Sequence, residues 1–206
     1  MRIEEMYSQL PELETERLLL RKLTAADTND MYEYTSNENV SAYVTWDRHQ
    51  SPADTDRFIQ FVLNQYRGQK IAPWGIEYKQ DKKLIGTIDF VKWNPAHYTA
   101  EIGYAISQRY WGQGITTEAA QAVIEFGFTN MRLQRIQARC LSENIGSEKV
   151  MVKCGMRYEG TLRKSMHVKG KQRDIKVYSI LFDEYKDRKA ALNTIIHTPY
   201  HPFASP

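Results

Sequence analysis

The chain lacks several features that other protein classes need. Its 206 residues include only two cysteines, Cys140 and Cys154, and no Cys/His cluster with metal-ligand spacing accompanies them. Two cysteines cannot build the dense disulfide framework of a small secreted domain, so reduced buried thiols are the simplest interpretation. The N-terminus has no apolar signal-peptide core, and no stretch approaches the length of a membrane span. We therefore expect a cytoplasmic protein without a metal and without membrane contact.

A large excess of charge is also lacking. The net charge is only +3, which suits an anionic ligand but falls short of the basic surface of a nucleic-acid-binding protein. The densest basic run, residues 163–173, is spaced like a hairpin. Hydrophobic residues make up 42% and charged residues 26%, a balance that supports a real core. The length favours one domain, and the modest charge argues against direct binding of nucleic acid.

What the chain does have is a glycine turn between a strand and a helix. Gly112 and Gly114 follow a strand pattern, and a helical pattern begins directly behind them. Free N–H groups in such a turn point the same way, and the helix dipole adds positive potential, so the turn predicts a pyrophosphate site. A Rossmann motif would need a third glycine where Thr117 stands, and the lysine of a P-loop is absent. The sequence thus predicts a phosphate-bearing cofactor of another kind.

The order of predicted elements indicates a mixed, mostly antiparallel α/β fold. Capping signals at Thr24 and Ser51 predict two early helices, because each is followed three residues later by an aspartate that can close a capping box. Apolar alternation and periodicity predict the remaining elements. These are strands at 17–23, 74–78, 83–93, 98–107, 135–141, 161–168 and 175–182, and helices at 117–130 and 147–153.

Four passages occur together in an order that one known family shares. They are Thr15-Glu16-Arg17-Leu18 with Leu20-Arg21, then Glu101-Ile102-Gly103-Tyr104, then Tyr110 to Gly114 with Thr117-Glu118-Ala119, and finally Asn144 with Ser147 and Gly155-Met156. In these passages the chain resembles the GNAT acetyltransferase superfamily, and within it the ribosomal-protein N-terminal (Rim-type) branch. The resemblance covers residues 13–186, and ordered agreement of this kind is more specific than any single motif.

The resemblance implies a GNAT-type fold. Its mixed, mostly antiparallel central sheet would contain a splayed strand pair, with helices flanking both faces. Residues 13–186 would form a single acetyltransferase domain. Residues 1–12 would be a lead-in, and the proline-rich segment 187–206 would be a loosely ordered tail.

The resemblance also implies acetyl-CoA as the cosubstrate and no metal. Pantetheine would lie in the splay between the strand ending at Ile106 and strand 135–141, bonded to the backbone of Tyr104, Ala105 and Ile106, with Asn144 reaching its arm. The loop fits the family pattern in two registers, and the start of the helix favours the one beginning at Trp111. The pyrophosphate would then bind the backbone N–H groups of Trp111, Gly112, Gln113, Gly114, Ile115 and Thr116.

Acetyl transfer to an amine needs a base for the amine, stabilisation of the thioester oxygen and a proton for the departing thiolate. Glu101, just before the Gly-Tyr pair, is the candidate base, acting through water; the alternative is a salt-bridged carboxylate. Glu159 is a second candidate. Many family members use a tyrosine seven residues after the asparagine as the acid, but Met151 stands there. Ser147 is therefore the candidate donor, with a helix-capping hydroxyl as its alternative role.

The leading hypothesis is an N-acetyltransferase that acts on a primary amine by direct attack in a ternary complex. The acceptor would be a protein N-terminal α-amine, as in the ribosomal-protein branch. One alternative acceptor is a small amine: a polyamine, an amino acid derivative or an antibiotic. The alternative to an enzyme is a non-catalytic acetyl-CoA sensor. Met151 favours this alternative, whereas Glu101, Asn144 and Ser147 argue against it. The oligomeric state stays open, and a homodimer is compatible with the sequence.

Two further features concern the acceptor side. An acyl-cysteine route through Cys140 or Cys154 would need a neighbouring histidine, and none is patterned beside either. Trp46 and Trp93 fall near predicted loops and could form walls of an acceptor pocket, although aromatic residues there are also ordinary core caps.

Overall fold

The computed structural model describes residues 2–196, and its centre is an eight-stranded sheet with the order β1-β2-β3-β4-β5-β6-β8-β7. Within the described chain β5 and β6 form the single parallel pair, so the sheet is mixed and mostly antiparallel, as predicted. The strands are β1 (Leu13–Glu14), β2 (Leu18–Arg21), β3 (Trp74–Tyr78), β4 (Lys83–Asn94), β5 (Thr99–Ile106), β6 (Arg135–Leu141), β7 (Arg157–Val168) and β8 (Lys171–Leu181).

Helices cover both faces of this sheet. On one face α2 packs against α4 and β4; on the other, α5 packs against β4 and β5, and Phe128 of α5 contacts Phe182 and Tyr185 of α7. Within the core, Trp74 makes edge-on contacts with Phe90 and Phe126, which join the sheet to α5. The helices are α1 (Ile3–Ser8), α2 (Thr28–Thr35), α3 (Glu38–Ser41), α4 (Pro52–Arg67), α5 (Ile115–Thr129), α6 (Ile145–Lys153) and α7 (Phe182–Ile196).

Both predicted capping boxes are present. Ser51 and Asp54 cap α4, with Pro52 at the first helical position. Thr24 and Asp27 close the other box, but it begins a 3-10 turn that leads into α2 rather than α2 itself. Local hydrogen bonds between residues three apart set both starts, which is why the sequence predicts them well.

The ends of the chain differ more from expectation. Residues 3–8, within the expected lead-in, form α1, which packs against α4. Helix α7 continues to Ile196, past the expected domain end at residue 186, and that boundary stays a prediction. The rest of the expected tail, residues 197–206, lies outside the described residues. No helix among residues 2–196 is both long and apolar enough to cross a membrane.

The relation between β5 and β6 positions the site. Residues Thr99 to Ile102 of β5 pair with Arg135 to Ala138 of β6, and the pairing stops there. On its other side β5 stays paired with β4 as far as Ile106. The β6-facing backbone groups of residues 103–106 therefore have no strand partner, which confirms the predicted splay.

Candidate active site

The splay opens into a cleft of about 840 Å³, which is within the usual size range of ligand sites. Strands β4, β5 and β6 form its floor, and α4, α6 and the glycine loop border it. Of the twelve site residues expected from the sequence, Gln113, Gly114 and Ile115 do not line the cleft. The nine that do are Glu101, Tyr104, Ala105, Ile106, Trp111, Gly112, Thr116, Asn144 and Ser147.

The glycine loop has the geometry of an anion cradle. Gly112 and Gly114 have φ values of +74° and +78°, in the left-handed region that favours glycine. The Trp111 N–H donates to the carbonyl of Gln108, whereas the N–H groups of residues 112–116 donate to no acceptor within the described chain. Helix α5 begins at Ile115 directly behind them. These groups fit a pyrophosphate.

A partly exposed ion pair joins this loop to the N-terminal strands. Arg17 Nε lies 2.6 Å from Glu118 Oε2, and Arg17 Nη1 donates to the carbonyl of Gln113 at 3.0 Å. The Thr15 hydroxyl donates to the other Glu118 oxygen at 2.6 Å. The first and third passages of the family pattern, far apart in sequence, are therefore in contact, which explains why both carry charged residues.

The side-chain oxygen of Asn144 accepts a hydrogen bond, whereas its amide nitrogen is available to a ligand. Its Oδ1 accepts from the Ser147 N–H at 3.0 Å and caps α6. Its amide nitrogen donates to no acceptor in residues 2–196, and the residue lines the cleft. It can thus donate to a polar group of a bound pantetheine arm. The alternative capping role of Ser147 is wrong, because α6 begins two residues earlier than predicted and Asn144 is its cap.

The hydroxyl of Ser147 has a partner that the sequence analysis missed. It lies 2.9 Å from the hydroxyl of Tyr104, for which only a backbone role was expected. Burial raises the pKa of Tyr104, so its phenol is protonated at neutral pH. Met151, which replaces the usual tyrosine, is fully buried in the core. A phenol is therefore supplied beside Ser147 from β5 rather than from α6.

Glu101 is buried, with a relative exposure of 6%, and it is paired. Its carboxylate accepts from Arg139 Nε and from Gln137 Nε2, each at 2.8 Å. The ion pair that was the alternative interpretation is thus present, and the catalytic role of Glu101 stays a prediction. Glu159 lies outside the cleft lining, and hydrogen bonds from Arg135 hold its pKa near 2.

A second carboxylate in the cleft has no such partner. Asp89 of β4 lies opposite Gly103 of β5 and lines the cleft. Within the described chain no protein donor bonds its carboxylate. Burial raises its pKa to about 7, far above the ordinary value of 3.8. The sequence analysis missed Asp89; the one available signal was an acidic residue between the apolar Ile88 and Phe90.

The cysteines and the outer wall complete the site. Burial raises the pKa of Cys140 to about 11 and that of Cys154 to about 12, so both thiols are protonated at neutral pH and poor nucleophiles. Among residues 2–196 no group of three or more His, Cys, Asp or Glu side chains could hold a metal ion. Trp46, Phe58 and Phe61 form an aromatic wall of the cleft.

Trp93 does not belong to this wall. It is 8% exposed, packs in the core, and is absent from the residues that line the cleft. The predicted contribution of Trp93 to an acceptor pocket is therefore wrong, and its alternative interpretation as a core residue is confirmed.

Comparison with known proteins agrees with this geometry. Residues 17–157 match the family model of the acetyltransferase (GNAT) domain. The chain is 36% identical over 171 residues to the uncharacterised N-acetyltransferase YoaA of Bacillus subtilis, covering 83% of this chain and 97% of that protein. It is 33% identical over 135 residues to the ribosomal-protein-serine acetyltransferase of Escherichia coli, covering 65% and 74%. A GNAT-family acetyltransferase structure from Bacillus anthracis superposes with a TM-score of 0.75 at 33% identity, covering 84% and 99%.

Proposed function

The chain belongs to the GNAT acetyltransferase family and is an acetyl-CoA-dependent N-acetyltransferase; we propose that its acceptor is the α-amine at the N-terminus of a peptide or protein. A cytoplasmic location is part of this proposal. The resemblance to the Escherichia coli ribosomal-protein-serine acetyltransferase supports this acceptor class. The observation that carries the proposal, however, is the balance of charge in the cleft.

Three carboxylates line the cleft, and two of them are already neutralised. Glu101 is paired with Arg139, and Glu143 is paired with Arg173. Asp89 is the one carboxylate of the described lining that has no cationic partner. A bound ligand that supplies one positive charge would complete this balance, and a protonated α-amine supplies one.

A polyamine fits this cleft less well. A second ammonium group would need a second uncompensated carboxylate, and the described lining of the cleft offers none. Burying a cation without a partner costs several kcal/mol. The aromatic wall suits the apolar parts of a peptide's first residues.

Different residues of the chain would serve cosubstrate binding, charge stabilisation and proton donation. The loop N–H groups of residues 112–116 and the Asn144 amide would bind the cosubstrate, and acetyl-CoA supplies the activated acetyl group. Backbone N–H groups of residues 103–106 that face the splay can stabilise charge on the thioester oxygen. Ser147, backed by Tyr104, can donate a hydrogen bond to the leaving sulfur. Since both cysteine thiols are protonated, direct transfer to the amine is the favoured route.

CoA release tests the proposal. The protein is incubated with acetyl-CoA and, separately, with peptides beginning with Ser, Ala or Met, with spermidine, and with an aminoglycoside. We expect turnover with peptides, and mass spectrometry should place the acetyl group on the α-nitrogen. Turnover with spermidine or the aminoglycoside alone would overturn the proposed acceptor while leaving the N-acetyltransferase activity intact.

A further inference from the structure

Asp89 of β4 lies opposite the point on β5 where the pairing between β5 and β6 ends. Its backbone partner across the β4–β5 ladder is Gly103, which is the first residue of β5 beyond the pairing with β6. A Cβ placed on Gly103 would lie 3.7 Å from Asp89 Oδ1. Since glycine has no side chain, the Asp89 carboxylate and the Val91 side chain, whose Cγ1 would lie 2.7 Å from that Cβ, both approach the β5 backbone at the start of the splay.

Among the described residues, no cation compensates the carboxylate of Asp89. The titratable groups facing it are the phenols of Tyr7 on α1 and Tyr66 on α4, and on its own sheet Glu101, whose charge Arg139 balances. Burial raises the pKa of both phenols, that of Tyr66 to about 12, so both are neutral. An ionised Asp89 is therefore an uncompensated negative charge inside a cleft with apolar walls.

An ionised carboxylate in this position is energetically costly unless a bound ligand neutralises its charge. No structural role offsets this cost, because no donor of the described protein bonds the carboxylate. We infer that Asp89 binds the acceptor's ammonium group and takes the proton that the amine must lose before it attacks the thioester. This inference rests on the N-acetyltransferase function proposed above, and it gives Asp89 the role for which Glu101 was the candidate.

The proton and electron balance of the step is complete. The ammonium R–NH₃⁺ gives one proton to the Asp89 carboxylate, which becomes a neutral carboxylic acid. The freed lone pair of the amine forms the new C–N bond with the thioester carbon of acetyl-CoA, and the C–S bond breaks with its electron pair going to sulfur. The nitrogen then loses its second proton, and the sulfur gains one. The net change is R–NH₃⁺ plus acetyl-CoA giving R–NH–acetyl, CoA-SH and one released proton.

The charge state of Asp89 sets the expected pH dependence. Because burial raises its pKa to about 7, the carboxylate loses its charge as the pH falls through that value. On the alkaline side of the profile, above about pH 8, an α-amine loses the proton through which it pairs with Asp89. The profile of kcat/KM for a peptide should therefore be bell-shaped, with its acid limb near pH 7 belonging to Asp89.

The test compares Asp89→Asn and Asp89→Glu with Asp56→Asn, which removes the same charge from an exposed position of α4 outside the cleft. For Asp89→Asn we expect kcat/KM for the acceptor to fall by about 100-fold or more, the range that a general base contributes. The KM for acetyl-CoA should stay within twofold and the acid limb should disappear. Asp89→Glu should recover part of the loss, and Asp56→Asn should match the wild type.

A binding measurement needs no turnover. In the presence of CoA, calorimetry compares a peptide that begins with a free Ser with the same peptide acetylated at its N-terminus. We expect the wild type to bind the free peptide at least tenfold more tightly, and Asp89→Asn to lose this preference. If the wild type acetylates only spermidine, the proposed acceptor fails, and Asp89 is tested with spermidine and its N-acetylated form instead.

Several results would overturn the role of Asp89. They are an Asp89→Asn enzyme within threefold of wild-type kcat/KM, an acid limb that persists in that variant, and an unchanged preference for the free amine. A loss of acetyl-CoA affinity equal to the loss of kcat/KM would also overturn it, since that result indicates a structural role.

Discussion

The hydroxyl of Tyr104 lies 2.9 Å from the hydroxyl of Ser147, where β5 faces the first turn of α6. A serine hydroxyl alone is a weak acid, and the protonated phenol behind it can replace the proton that Ser147 gives to a leaving sulfur. Two residues that act in series form one functional unit. We therefore expect the pair to take the place of the missing tyrosine at position 151.

This arrangement predicts strongly non-additive kinetics. Ser147→Ala and Tyr104→Phe should each lower kcat by about tenfold, and the double variant should lose little more than either single one. Steady-state kinetics of the three variants form the cycle. Tyr178→Phe is the control, because it removes a hydroxyl bonded to Glu148 of the same helix but outside the cleft. Independent effects that multiply in the double variant would refute a proton relay.

The ion pair between Glu101 and Arg139 predicts a separable effect on stability. Glu101→Gln leaves the partly buried Arg139 without its partner, and we expect the free energy of unfolding to fall by a few kcal/mol. Adding Arg139→Gln should restore much of this loss. Thermal unfolding and kcat, measured on both variants, distinguish two roles. Activity that returns together with stability indicates that Glu101 positions the strand pair, whereas activity that stays low supports the catalytic role predicted from the sequence.

The glycine loop predicts a change specific to the cosubstrate. Gly112→Ala introduces a Cβ at φ +74°, on a surface where no protein atom lies within 4 Å, so the cost is about 1 kcal/mol of backbone strain plus any obstruction of the ligand. We expect the KM for acetyl-CoA to rise several-fold with kcat little changed. Gly170→Ala is the matched control: φ is +76°, and the residue lies in the β7–β8 turn. Equal kinetics in the two variants would argue against phosphate binding at this loop.

Asp89 predicts an unusual dependence of stability on pH. Its folded pKa of about 7 is above the unfolded value near 3.8, so the folded state holds one more proton between these values. Stability from this residue is therefore present below about pH 4 and is lost as the pH rises through 7. The Asp89→Asn variant cannot lose stability through this ionisation. Its melting temperature should therefore exceed that of the wild type by a few degrees at pH 8, but not at pH 4.

Melting curves of the wild type, Asp89→Asn and Asp56→Asn at both pH values provide the measurement. Asp56 is exposed, so its replacement should leave the melting temperature nearly unchanged at both. An Asp89→Asn protein that is less stable at pH 8 would mean that the carboxylate has a stabilising partner in the folded protein.

Much of the fold could be predicted because its signals are local. The capping boxes at Ser51 and Thr24 involve residues three positions apart, and the strand limits of β3 and β6 follow from apolar patterns within five to seven residues. The loop glycines were recognisable for the same reason, since a positive φ restricts the residue type at that position alone. The helix α1 carried no comparable signal, and its packing against α4 stabilises it.

The amino-acid sequence by itself determined the family and the splayed sheet and predicted the glycine loop as the cosubstrate site, because each of these depends on short motifs that follow one another along this one chain. Tertiary structure alone decided the chemistry: that Glu101 is paired with Arg139, that the Tyr104 hydroxyl lies beside that of Ser147, and that Asp89 has no hydrogen-bond partner within residues 2–196. The physical reason is that ionisation and proton transfer depend on burial and on neighbours a few ångströms away. Those neighbours come from strand register and helix packing, which join residues dozens of positions apart.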